Sequence, residues 1–146
     1  MSNLSEKETR EKIIDPYLHD AKWKDEYIKR EVNSIKSDFK TKNYVLSKGP
    51  NDDSGRFIDY ILLDSDKSVL AIIEAKRFSL DAEKGSIQAT TYQKDIESKI
   101  NFSVPIFLTN GKKWYFKEKG YPTREISGPF SQDDLHRRMM LSKGRQ

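Results

Sequence analysis

The longest apolar stretches of the chain are two short runs, Phe57–Leu63 and Val69–Ala75, separated by the turn-forming cluster Asp64-Ser65-Asp66-Lys67. Two strand-length runs joined by such a cluster predict a β-hairpin. Both runs are almost continuously apolar, which predicts strands covered on both faces. Upstream, Ile13, Ile14, Tyr17 and Leu18 fall at helical spacing behind Ser5-Glu6-Lys7-Glu8, a capping-box pattern with Ser5 as N-cap and Glu8 at N3. Pro16 is expected to kink or end that helix. Tyr27–Ile35 and Asn43–Ser47 read as strands, Trp23 as a packing residue, and Lys48–Ser54 as a loop.

Downstream of the hairpin, a helix is expected from Gly85 or Ser86 to about Ile100, with Gln88, Tyr92, Ile96 and Ile100 along one face. Val104–Thr109 follows as a core strand. A strand, helix, strand succession implies a right-handed crossover and a parallel pairing. Asn110-Gly111 is a strong hairpin signal. It leads into Lys112–Lys117, whose alternation sets Lys113, Tyr115 and Lys117 on one face. Thr123–Ile126 reads as a last short strand, and Ser131 as the cap of a final helix from Gln132 to about Ser142. The expected fold class is α/β: a mixed β-sheet flanked by helices. At 146 residues a single domain is expected, 1–146, with room for a sizeable core.

Three charges break the hairpin pattern. Asp59 lies inside the first apolar run, and Glu74 and Lys76 end the second. Charges at buried positions are costly unless paired or bound to a metal. Glu74 and Lys76 are two apart and share one face of their strand, while Ala75 points the other way. Asp59 reaches the same face if the register allows. Two carboxylates and an amine at one spot suit Mg²⁺, a hard cation that takes oxygen ligands. The lysine would orient a water or steady developing negative charge. The plainer alternative is an edge-strand ion pair, because 34% of the residues are charged and such triplets arise by chance. Position at the end of a core strand, one hairpin after an embedded aspartate, favours the site.

Other polar residues carry two readings each. Glu8 either caps its helix or approaches the site. Arg10 reads as a surface charge or a phosphate contact, with the surface favoured. Glu31 reads as a solvent-facing strand residue or one near the site face. Gly55 suggests close backbone approach, and Arg56 a phosphate contact or an acid partner. Tyr92 fits the core and Gln88 the surface.

Composition narrows the function classes. There is no cysteine, so disulfides and thiolate zinc sites are excluded. The start has no signal-peptide pattern and no run approaches a membrane span, so a cytoplasmic protein is expected. The net charge is +4, and residues 136–146 hold Arg137, Arg138, Lys143 and Arg145 with no acid. The remainder is formally neutral, so composition does not imply a strongly basic nucleic-acid clamp, and any DNA affinity is expected from locally clustered Lys and Arg or from other domains. There is no G-x-x-x-x-G-K-S/T phosphate loop, so no ATP-driven motor lies in this chain.

The ordered set G-R-x-x-D-Y-x-L-L-D from Gly55, I-E-A-K-R from Ile73, Q-A-x-x-Y at Gln88–Tyr92 and P-I-F-L-T-N-G at Pro105–Gly111 resembles the N-terminal nuclease domain of the R subunit of type I restriction enzymes. Glu8-Thr9-Arg10 and Ser131–Leu135 fit the same pattern. That domain belongs to the PD-(D/E)XK nuclease superfamily. One departure is visible, since Ile58 stands where the superfamily motif has proline. The resemblance implies a restriction-endonuclease-like core and Mg²⁺-dependent cleavage of double-stranded DNA, with Mn²⁺ able to substitute. It implies Asp59 and Glu74 as metal ligands, the backbone carbonyl of Ala75 as a further ligand, and Lys76 as the catalytic lysine. It places Glu8 near the metal, directly or through water, and Gln88 and Tyr92 at the edge of the active site. It also implies helicase motor domains, with their ATP, and methylation and specificity subunits as partners outside this chain. A freestanding repair or recombination nuclease of the same superfamily, or a degenerate DNA-binding or docking module, are the alternatives.

Overall fold

The predicted hairpin forms with its expected boundaries and lies inside a six-stranded sheet. In this computed structural model, which describes residues 4–144 except Pro50, Ser54 and Ser79, the strands lie side by side in chain order. They are β1 (Ile28–Asn33), β2 (Phe57–Leu63), β3 (Val69–Ala75), β4 (Ile106–Thr109), β5 (Trp114–Lys117) and β6 (Arg124–Ile126). β3 and β4 run parallel and the other neighbours antiparallel. Parallel neighbours need a long crossover, and helix α3 (Ser86–Glu97) supplies it. The expected α/β class and mixed sheet are what the structure shows.

Both central strands are buried along almost their whole length, because each sheet face is covered. On one face Ile14, Leu18, Tyr60, Ile73, Trp114 and Leu135 join the N-terminal helical segment and α4 (Gln132–Gly144) to the sheet. On the other, Ile61, Ile72, Leu108, Ala89, Tyr92 and Ile96 pack beneath α3. Trp23 is a core residue, and its indole N–H donates to the Phe130 carbonyl at 2.9 Å. Among the described residues no helix is long and apolar enough to cross a membrane.

Four expectations shift. Pro16 does not end the first helix. α1 (Glu6–Thr9) runs into a π turn (Arg10–Ile14) and then α2 (Asp15–Asp20), so Pro16 falls in the first turn of a new α segment, where its missing N–H is tolerated. Asn43–Ser47 forms two isolated bridges rather than a strand. The segment still bonds β1 through the Val45 carbonyl, which accepts from the Asn33 N–H at 2.8 Å, and the Ser47 N–H, which donates to the Glu31 carbonyl at 2.9 Å, but Ser37 Oγ takes the Val45 N–H and no continuous ladder forms. α3 stops at Glu97, whose carboxylate turns back to accept from Ser103 Oγ and the Val104 N–H. β4 then starts at Ile106, after Pro105, which has no N–H for the ladder but accepts from Ile72.

Candidate active site

The β2–β3 ladder ends at Tyr60 opposite Ile73, and the same register carries Asp59 opposite Glu74. There a side chain takes over from backbone: the Ala75 N–H donates to Asp59 Oδ2 at 2.7 Å. Asp59 and Glu74 are buried, 8% and 2% exposed. Glu6, from the first turn of α1, brings a third carboxylate. One oxygen from each of Glu6, Asp59 and Glu74 lies within 4.8 Å of the others.

Lys76, two residues past Glu74 and just beyond the end of β3, stands at the mouth of this cage. Its Nζ is 4.0 Å from Glu74 Oε1 and donates to Gln88 Oε1 at 3.3 Å. Gln88 Nε2 donates to the Tyr92 hydroxyl at 2.8 Å. A chain of polar contacts therefore runs from Lys76 through α3 to a buried tyrosine. Gly85, just before α3, lets this helix approach, since a Cβ there would lie 2.7 Å from Glu74 Cγ.

Burial and mutual repulsion act together on the carboxyls. Burial, then the negative charge of Asp59, pushes Glu74 well above the ordinary carboxylate range. Burial pushes Asp59 up as well, against the stabilising Ala75 N–H. Glu74 Oε2 is buried and has no hydrogen-bond partner among the described residues. A buried carboxylate without a partner favours either a proton or a cation. Three converging carboxylates, one with an orphaned oxygen, are hard oxygen donors of the kind that Mg²⁺ or Mn²⁺ takes. The residues present therefore fit such an ion.

The structure brings Asp59, Glu74, Lys76, Gln88 and Tyr92 together, and Ala75 meets Asp59 through its N–H. Glu8 does not join them. Its carboxylate accepts from the Ser5 N–H at 3.3 Å and from Lys12 Nζ at 3.4 Å, and the Ser5 bonds hold its pKa low. Glu6 takes its place, because two residues along a helix turn a side chain through roughly 200°. Arg10, expected at the surface, is only 15% exposed in its side chain and faces the cage. It lies 3.4 Å from Asp59, 3.6 Å from Glu6 and 3.5 Å from Glu31. A signal for both was present: stepping back by fours from the buried Ile14 reaches Arg10 and then Glu6. Glu31 approaches the site face while staying half exposed. Arg56 pairs with Asp95 at 3.2 Å, and Gly55 packs against Asn33.

A family model for the N terminus of the type I restriction enzyme R protein matches residues 3–125. Among solved structures, one described as the fragment structure of a putative HsdR subunit of a type I restriction enzyme from Vibrio vulnificus YJ016 matches with a TM-score of 0.71 at 22% identity. The match covers 97% of this chain and 26% of that one, so the chain spans about a quarter of that relative. At this identity the likeness shows the fold. No curated protein matches the chain.

Proposed function

The chain belongs to the type I restriction enzyme R protein N-terminal family, and from that premise we propose that it is a divalent-cation-dependent DNA endonuclease domain. The observation that carries this reading is the cage of Glu6, Asp59 and Glu74 beside Lys76, with Glu74 Oε2 left unpartnered. Asp59 and Glu74 hold Mg²⁺, with the Ala75 carbonyl as a further oxygen on the same strand and Glu6 closing the cage directly or through water. When bound, the ion supplies Lewis-acid stabilisation of the phosphoryl charge. Lys76, steered by Gln88 and through it by Tyr92, orients the attacking water and neutralises negative charge on the phosphodiester. Ala75 fixes Asp59 through its N–H, so Asp59 keeps one oxygen for the ion.

The substrate is double-stranded DNA. In a longer relative the ATP-driven motor and the methylation and specificity subunits would bring DNA to this site, because the chain carries no phosphate loop. Restriction of incoming DNA places the work in the cytoplasm.

The test is a thermal melt with and without Mn²⁺, on wild type and on Asp59→Ala/Glu74→Ala. Metal at ten times its dissociation constant stabilises by about 1.4 kcal/mol, about 3–6 °C for a domain of this size. The shift is expected in wild type and absent from the variant, with Lys76→Ala retaining it but failing to cleave plasmid DNA. No shift in wild type, even with a short duplex present, overturns the reading and leaves a non-catalytic docking module.

A further inference from the structure

Arg10 adds a device that the metal-site reading does not require, though it rests on that reading. The guanidinium projects from the π turn between three carboxylates: Nη1 faces Asp59 Oδ1 and Glu6 Oε1, and Nη2 faces Glu31 Oε1. Its separations of 3.4, 3.6 and 3.5 Å exceed the roughly 2.7–2.9 Å of charge-assisted hydrogen bonds. Nη1 donates to Asp59 Oδ1 only at the long end of the hydrogen-bond range, so the group sits among the carboxylates and is not tightly held by one. Asp59 Oδ2 is already held by Ala75. The oxygen that Arg10 faces, Oδ1, is the one left for a cation.

Glu31 completes the arrangement. Arg30 and Val32 on β1 pair with Tyr60 and Ile58, which puts Glu31 beside Asp59. It holds a left-handed backbone, φ +53°, a conformation uncommon for a non-glycine residue and kept where the surroundings enforce it. The Glu31 side chain is 52% exposed against 11% for Asp59. Glu31 thus offers the guanidinium a berth at the solvent side of the cage. The positive guanidinium competes with a cation for these carboxylates.

We propose that Arg10 is a stand-in cation. Without metal it neutralises the cage; when a divalent ion enters, it stays tethered to Glu31, gives up Asp59 and Glu6, and turns its free edge to a DNA phosphate. Arg10 is thus a positioning residue that sets metal affinity and couples metal entry to DNA binding.

The experiment is calorimetric titration of Mn²⁺, without DNA, into wild type, Arg10→Gln, Glu31→Gln and the double variant. Arg10→Gln is expected to bind Mn²⁺ about tenfold more tightly, a change of about 1.4 kcal/mol. A merely structural role would loosen binding. Glu31→Gln is expected to weaken binding severalfold, since the guanidinium then has only the cage to satisfy it. That effect should vanish in the Arg10→Gln background. Anisotropy of a labelled duplex in Ca²⁺ is expected to show severalfold weaker DNA binding by Arg10→Gln. Mn²⁺ binding by Arg10→Gln that is unchanged or weaker overturns the inference alone. Absence of Mn²⁺ binding by both wild type and Arg10→Gln overturns the metal-site reading with it. If Arg10→Gln does not fold, Glu31→Gln decides by itself, and an unchanged affinity there overturns the inference.

Discussion

Gly85→Ala tests how far packing by α3 sets the position of Glu74. Gly85 has φ −80° and ψ −4°, so alanine meets no backbone strain there. The cost is spatial. The added Cβ would lie 2.7 Å from Glu74 Cγ, short of the 3.4 Å of ordinary contact by about 0.7 Å, and 3.5 Å from Lys76 Cε. Glu74 sits in a central strand and is 2% exposed, so it has little room to retreat. Either the start of α3 lifts or the carboxylate turns. Overpacking costs about 1–3 kcal/mol, and stiffening the unfolded chain offsets about 0.4–1 kcal/mol of it. The net loss of about 1–2 kcal/mol lowers the Tm by about 2–8 °C. The site suffers more, because reactive constellations tolerate only about 0.5 Å. Mn²⁺ affinity is expected to fall about tenfold and DNA cleavage about 10–100-fold, with the circular-dichroism spectrum unchanged. Scanning calorimetry, metal titration and a plasmid assay read the three quantities. A variant that melts and binds Mn²⁺ as wild type does would refute the reasoning, since the start of α3 would then yield freely.

Two further predictions separate the roles of neighbouring carboxyls. Glu6→Gln is expected to weaken Mn²⁺ binding about tenfold, while Glu8→Gln leaves it unchanged and lowers the Tm slightly through the lost capping box; the reverse order would restore Glu8 to the site. Asp59 and Glu74 are raised by burial, so the folded protein keeps protons that the unfolded chain has released. Metal-free stability from these groups is therefore present below about pH 4 and is lost as pH rises through their elevated folded values. Asp59→Asn/Glu74→Gln should remove that slope: in EDTA it is expected to melt above wild type at pH 8 and not at pH 4. A variant less stable than wild type at pH 8 would contradict this electrostatic account.

The hairpin was legible because a fully covered strand pair leaves an almost unbroken apolar run, and its boundaries follow from where the charges stop it. Asp59, Glu74 and Lys76 were legible for the same reason: a charge inside such a run needs a partner. The register that places Asp59 opposite Glu74 was not legible, since residue alternation alone fixes a face and not a cross-strand neighbour. Glu6 was missed because the capping box drew the reading to Glu8, whose carboxylate does satisfy the helix terminus. Pro16 misled because the π turn before it changes which N–H groups the helix requires. The Arg10–Glu31 contact joins the N-terminal helix to an outer strand, and local pattern carries no signal for it.

On the proposed nuclease reading, the charge balance of the site accounts for how an otherwise neutral chain would act on a polyanion. Glu6, Glu31, Asp59 and Glu74 face Arg10 and Lys76, so with every group ionised the acids exceed the bases by two. A phosphodiester approaching that mouth is repelled. Among the described basic residues of the last helix, Arg137 is paired with Asp134 and Arg138 with Glu118. Retained protons, which burial favours at Asp59 and Glu74, and a divalent cation are alternative ways of removing the same excess. A divalent ion cancels it in full and leaves Arg10 and Lys76 with no acid that demands both of them. Two cations then become available to phosphate at the spot where cleavage would occur. On the proposed nuclease reading, electrostatics orders the events: the divalent ion replaces the retained protons of Asp59 and Glu74 first, and DNA follows.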